Sequence, residues 1–142
     1  MSSFNAYLGV ALGILFTMMG TAFSTTKAAN LLETTVKSYI PIVMSGVLAI
    51  YGLIVSLLIV LKISEHQGDK DVTVARTSDA LMAAGLVTGF TNLFSGLTMG
   101  FISDKANLHS NGINFGVTLA LVFAESWGLY GLIISLVIIG KI

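Results

Sequence analysis

A helix needs about 20 mostly apolar residues to cross the hydrocarbon core of a bilayer. Four segments of this sequence meet that length, at about 5–26, 39–61, 80–103 and 113–139. Hydrophobic residues make up 55% of the 142 and charged residues 10%, with a mean hydropathy of +0.92. A soluble domain usually carries about 25% charged residues. A globule this small has too little interior to hide so much apolar surface, so lipid is the solvent the sequence predicts. Backbone amides cannot go unpaired in hydrocarbon, which favours continuous helices joined by polar turns. The expectation is an all-α membrane protein of four transmembrane helices, one domain over 1–142. Three polar connections are expected: around Lys27 to Ser38, Lys62 to Asp79 (with SEHQGDKD), and Asp104 to Gly112. Pro41 falls where the second helix should begin, a place where its missing N–H costs little.

Charge excludes several functions. Seven basic and seven acidic residues balance, and no basic patch suggests nucleic acid. Cysteine is absent, which rules out disulfides and thiolate metal sites. The opening Met-Ser-Ser-Phe-Asn lacks the positive region of a cleaved signal, so the first apolar run is expected to be a retained span. Orientation does not follow from charge. Lys27, Lys37 and Lys105 would lie on one side, and Lys62, Lys70, Arg76 and Lys141 on the other.

An internal repeat divides the chain. IYGLIVSLLIV (50–60) lies over LYGLIISLVII (129–139) at an offset of 79. Gly9, Gly13 and Gly20 lie over Gly85, Gly89 and Gly96 at an offset of 76. Two tandem helical hairpins are expected, about 5–61 and 80–139. They run the same way through the membrane, because two spans separate equivalent helices. This is a parallel repeat, unlike the inverted repeats common in secondary transporters.

Spans one and three carry glycine stripes. Gly85, Gly89, Asn92, Gly96 and Gly100 recur every three or four residues, as do Gly9, Gly13 and, further on, Gly20 and Ser24. That spacing puts each set on one helix face. Small residues there let backbones approach, since lipid supplies no hydrophobic drive for helix association. Packing within one four-helix bundle is one reading. A tight inner circle of helices in a ring of many copies is the sharper one.

Six of the seven acids lie in connections or at span ends: Glu33, Glu65, Asp69, Asp71, Asp79 and Asp104. Glu125 sits near the midpoint of the fourth span, in LALVFAESWGLYGLI. An ionised carboxylate at that depth costs roughly 2.5–3.5 kcal/mol, and intramembrane acids are functional by default. Burial favours the protonated form, so this group is suited to bind and release a proton. No lysine or arginine shares its depth within the chain, so a cation that drives the proton off must come from another protein. Tyr51, near the middle of span two, is a candidate hydrogen-bond donor to Glu125. Asn92, on the glycine stripe, suits helix–helix hydrogen bonding better than ion binding. Ser126 is expected to bond back to its own helix. Trp127 reads as lipid-facing or packing bulk, and His66 and His109 as solvated residues of the connections.

These residues resemble the proteolipid, or c subunit, of eukaryotic V-type proton ATPases. The resemblance lies in SYIPIVMSGVLAIYGLIVSLLI (38–59), LVFAESWGLYGLIISLVI (121–138), ILFTMMGTAFSTTK (14–27) and the glycine spacing of span three through Asp104. It covers almost the whole chain. Asn92 stands where the family usually has another small residue, and Gly46, the repeat equivalent of Glu125, agrees with the family's loss of its first carboxylate. The resemblance implies a ring of identical or paralogous proteolipids, with spans one and three inside and spans two and four outside. It implies a membrane stator that supplies an arginine, central-stalk subunits, and a vacuolar or other acidic endomembrane. Glu125 would carry protons from cytosol to lumen. The chain would not be catalytic alone: it has no phosphate-binding loop, and no metal or cofactor is expected. A small four-helix proton-coupled transporter is the alternative, and a non-catalytic membrane scaffold a third reading. The carried ion is expected to be a proton. Sodium-carrying relatives supply side-chain oxygens shortly before the shared tyrosine, where this chain has Val47 and Leu48 ahead of Tyr51.

Overall fold

The computed structural model describes residues 4–30, 39–65, 71–109 and 115–142. They form four helices: α1 (Phe4–Ala29), α2 (Tyr39–Glu65), α3 (Asp71–His109) and α4 (Phe115–Gly140). All four contain a stretch long and apolar enough to cross a membrane.

Helix ends depart from the sequence expectation. The polar connection expected at Lys62 to Asp79 is mostly helical. α2 continues to Glu65 and α3 starts at Asp71. Residues 66–70, with His66, Gln67, Asp69 and Lys70, lie outside the described residues, as do Glu33 and Lys37. The connection expected from Asp104 is also helix as far as His109, which closes α3 instead of lying in a loop. Hydropathy reports depth in the membrane, and a helix need not stop where the hydrocarbon does. With 39 residues, α3 is about 58 Å long at 1.5 Å per residue. The hydrocarbon is about 30 Å thick, so α3 must project beyond it. Ion pairs fit these outer turns. Lys62 Nζ donates to Glu65 Oε2 at 2.9 Å, one turn along α2. Lys27 Nζ, at the end of α1, meets Asp104 Oδ2 of α3 at 3.0 Å.

The glycine stripes of α1 and α3 meet each other. A Cβ built on Gly13 would lie 2.9 Å from the carbonyl oxygen of Gly85, and one on Gly89 would lie 3.0 Å from Gly13 Cα. A Cβ on Gly20 would lie 2.7 Å from the Asn92 carbonyl oxygen, and one on Gly85 or Gly96 would collide with the backbone of Gly9 or Gly20. Gly9 faces Met82 Cα, and Gly100 faces the Phe23 ring. Contacts advance together along both helices, so α1 and α3 run parallel. Glycine is required because the obstruction is backbone, which cannot rotate aside. The close approach occurs inside one chain and needs no second copy, so the stripes by themselves do not speak to a ring.

α2 and α4 pack outside this pair. Near one end Ala6, Val55, Ile59, Leu81, Ala84 and Ile139 form a buried cluster, and Leu48, Met99, Leu121 and Ala124 form a second. The first joins the start of α1 and α3 to the end of α2 and α4, which makes the even helices antiparallel to the odd ones. Hydroxyls reinforce the seams. Ser45 Oγ donates to the Thr21 carbonyl at 3.0 Å, and Ser135 Oγ to the Ala84 carbonyl at 2.8 Å. The N-terminal turn of α1, whose amides lack helical acceptors, is tied to α3: Ala6 N–H donates to Ser78 Oγ at 3.0 Å, and Asn5 Nδ2 to Asp79 Oδ1 at 2.6 Å. Large apolar side chains also cover the outside, among them Leu53, Leu57, Leu61, Phe94, Ile133 and Val137, each at least half exposed. A surface of that kind belongs in lipid or against other membrane helices.

Candidate functional site

The buried residues of α4 include Leu121, Ala124, Gly128, Gly131, Ser135 and Ile139, spaced three or four apart. This seam faces the bundle. Glu125 follows Ala124, so it stands about 100° around the helix, at the seam's edge and half-buried. On α2, Tyr51 holds the matching position one residue before the buried Gly52. The two edges converge, and Tyr51 Oη donates to Glu125 Oε1 at 3.1 Å. The second carboxyl oxygen is left for the surroundings. Among the described residues no lysine or arginine is ion-paired with Glu125. No cluster of histidine and carboxylate groups capable of holding a metal occurs among them either.

The other polar residues at this depth are engaged elsewhere. Asn92 is fully buried between α1, α3 and α4. Its Nδ2 donates to Thr17 Oγ1 at 3.2 Å, and its Oδ1 lies 2.8 Å from where a Cβ on Gly128 would be. Through Nδ2 it joins α3 to α1, while the buried Oδ1 has no hydrogen-bond partner. Ser126 Oγ donates to the Val122 carbonyl of its own helix at 3.1 Å. Ser45 Oγ lies 2.7 Å from Thr25 Oγ1, in addition to its bond to Thr21. Trp127 and Phe123 point outward, about half and two-thirds exposed.

Sequence reading passed over Ser95. This fully buried α3 residue donates from Oγ to the Ala124 carbonyl at 2.6 Å, on the turn that carries Glu125. A serine inside an apolar helix ordinarily reads as bonding its own backbone, as Ser126 does. The available signal was its spacing, three residues beyond Asn92 and so on nearly the same face.

Four membrane-length helices packed as two like hairpins, with one half-buried carboxylate in mid-helix, define an integral, multi-pass membrane protein. Curated relatives resolve the family. The chain is 34% identical to the V-type proton ATPase 16 kDa proteolipid subunit c of Rattus norvegicus, over 99% of this chain and 94% of the relative. It is 32% identical to the protein of the same name from Homo sapiens, with the same coverage. It is 34% identical to the V-type proton ATPase 16 kDa proteolipid subunit of Chrysotila carterae, over 97% of this chain and 91% of the relative. The chain belongs to this family of V-type proton ATPase proteolipid subunits. No family model matches it.

Proposed function

We propose that this chain is a rotor subunit in the membrane sector of a V-type proton ATPase and that Glu125 carries the proton. Copies of it, or of paralogues, stand in a ring with α1 and α3 inside and α2 and α4 outside. Glu125 takes a proton from the cytosolic side, crosses the lipid-facing arc as the neutral acid, and releases the proton toward the lumen of an acidic compartment. A stator subunit supplies the arginine that displaces the proton, and central-stalk subunits couple rotation to ATP hydrolysis elsewhere. The observation that carries this reading is the half-buried Glu125 carboxyl, hydrogen-bonded by Tyr51 with no paired cation among the described residues. Acids inside membrane spans are rare and mark ion pathways. The outward Phe123 and Trp127 speak against the alternative, a small transporter with an aromatic cavity around its acid.

The carried ion is a proton on the same grounds. Sodium is a hard cation and requires several oxygen ligands. Tyr51 Oη is the one side-chain oxygen that contacts Glu125 among the described residues, and Leu48 is a buried hydrocarbon. Ser45 and Ser126 donate to the carbonyls of Thr21 and Val122, and Asn92 Oδ1, which has no hydrogen-bond partner, lies in the α3–α4 seam against Gly128, a single oxygen where sodium needs several. Carbodiimides modify protonated carboxylic acids in apolar surroundings. Glu125 in the assembled membrane sector is expected to be labelled faster as pH falls, and labelling should stop ATP-driven acidification of vesicles. Sodium at millimolar concentration should not slow the labelling at constant pH and ionic strength. Protection by sodium but not potassium would make this a sodium rotor. Labelling that leaves acidification intact would remove Glu125 from the transport path.

A further inference from the structure

We propose that Ser95 is a positioning residue for Glu125: its hydroxyl, donated to the Ala124 carbonyl, fixes the rotation of α4 at which Glu125 reaches Tyr51. This rests on the carrier reading of Glu125 and adds a residue to it. Ala124 immediately precedes Glu125, and its carbonyl already belongs to the helical ladder, where Gly128 N–H is its partner. Ser95 Oγ adds a second, short bond at 2.6 Å; its other neighbour, Met99 Sδ, is a weak acceptor 4.0 Å away. The far end of the same turn is gripped as well. A Cβ on Gly128 would lie 2.8 Å from Asn92 Oδ1 and would also collide with Leu48 Cδ1. The turn 124–128 is therefore held from α3 by Ser95 and Asn92, and from α2 by Leu48. Tyr51 reaches Glu125 from α2 at 3.1 Å, near the limit for an O–H···O bond. A small rotation of α4 about its axis swings the Glu125 side chain away from that hydroxyl.

The first hairpin contains a related tie without a carboxylate. Ser45 is the repeat counterpart of Ala124 at the offset of 79. Its hydroxyl donates to the Thr21 carbonyl of α1 at 3.0 Å. Beside it stands Gly46, where a Cβ would have nothing within 4 Å. The Ser45 bond thus serves packing alone, and it supplies the control for loosening of the bundle.

The test uses the assembled membrane sector and the rate of carbodiimide labelling of Glu125 at fixed pH. Tyr51 is the titratable group facing Glu125 from α2; α3 brings the neutral Ser95 and Asn92 toward this turn, and Thr17 of α1 bonds Asn92. Tyr51→Phe removes the hydrogen bond to the carboxyl and is expected to speed labelling by about two- to tenfold, the range for one ordinary hydrogen bond. Ser95→Ala should speed it within the same range, and the pH profile should move in the same sense in both. The double variant should match Tyr51→Phe alone, because Ser95 acts through that contact. Ser95→Cys keeps a weak donor of similar size and should fall between the parent and Ser95→Ala; it also carries the test if Ser95→Ala does not assemble. Ser45→Ala should label at the parent rate. The proposal is overturned if Ser95→Ala or, failing its assembly, Ser95→Cys labels like the parent. Additive effects in the double variant, or an equal acceleration in Ser45→Ala, would overturn it too. Those results leave the carrier reading standing, whereas acidification by a Glu125→Gln ring would remove both.

Discussion

Rings built from Glu125→Gln chains are expected to assemble in normal yield and to transport no protons. Glutamine has nearly the shape of protonated glutamate and keeps a carbonyl oxygen that can accept from Tyr51 Oη, which lies 3.1 Å from Glu125 Oε1. The buried face formed by Leu121, Ala124 and Gly128 is untouched. Folding therefore loses little. Chemistry loses everything, because an amide neither binds nor releases a proton at accessible pH. ATP-driven acidification of vesicles should vanish, and carbodiimide labelling of the chain should vanish with it. Glu125→Asp gives the complementary result. It retains a titratable group but shortens the reach to Tyr51 by one methylene, so transport should fall without disappearing. Normal acidification by the glutamine ring would show that protons travel by another route.

Position along a helix is legible in the sequence, and the direction in which a side chain points is much less so. Counting along the apolar runs puts Glu125 and Tyr51 near the middle of α4 and α2, and hydropathy with length marks all four helices. Asn92 was placed at similar depth, but counting could not show that it faces Thr17 and Gly128 across the α1–α3–α4 junction. Ser95 is spaced from Asn92 in a way that hints at a shared face, but counting cannot show that its hydroxyl meets the Ala124 carbonyl. Its repeat counterpart at the offset of 76 is Met19, an exposed side chain on α1, so the duplication offered no hint of a hydroxyl there. The glycine spacing revealed two faces without naming what each face meets. Helix ends were misjudged where charged residues continue a helix beyond hydrocarbon, as at Lys62–Glu65 and on α3 from Asp104 to His109. Hydropathy falls at the membrane boundary, while the backbone ladder ends only where its own hydrogen bonds do.

Gly96→Leu is expected to prevent the single chain from reaching its native packing, so that no ring forms. A Cβ at Gly96 runs into the carbonyl group and Cα of Gly20, and leucine adds three further carbons beyond it. The reverse face is equally tight, since a Cβ on Gly20 would lie 2.7 Å from the Asn92 carbonyl oxygen and 2.8 Å from Leu93 Cα. None of these atoms can turn aside, so α1 and α3 must separate along their whole contact. Overpacking a core typically costs about 1–3 kcal/mol where side chains can adjust, and here backbone must move instead. Separation also stretches the bond from Asn92 Nδ2 to Thr17 Oγ1, one turn away, and uncovers polar groups to lipid. Gly46→Leu is the matched control, because a Cβ there meets nothing within 4 Å of the same chain. Thermal unfolding of the detergent-solubilised chain should show Gly96→Leu lacking the cooperative transition that Gly46→Leu retains. Parent-like unfolding and normal rings from Gly96→Leu would mean that α1 and α3 do not meet through this face.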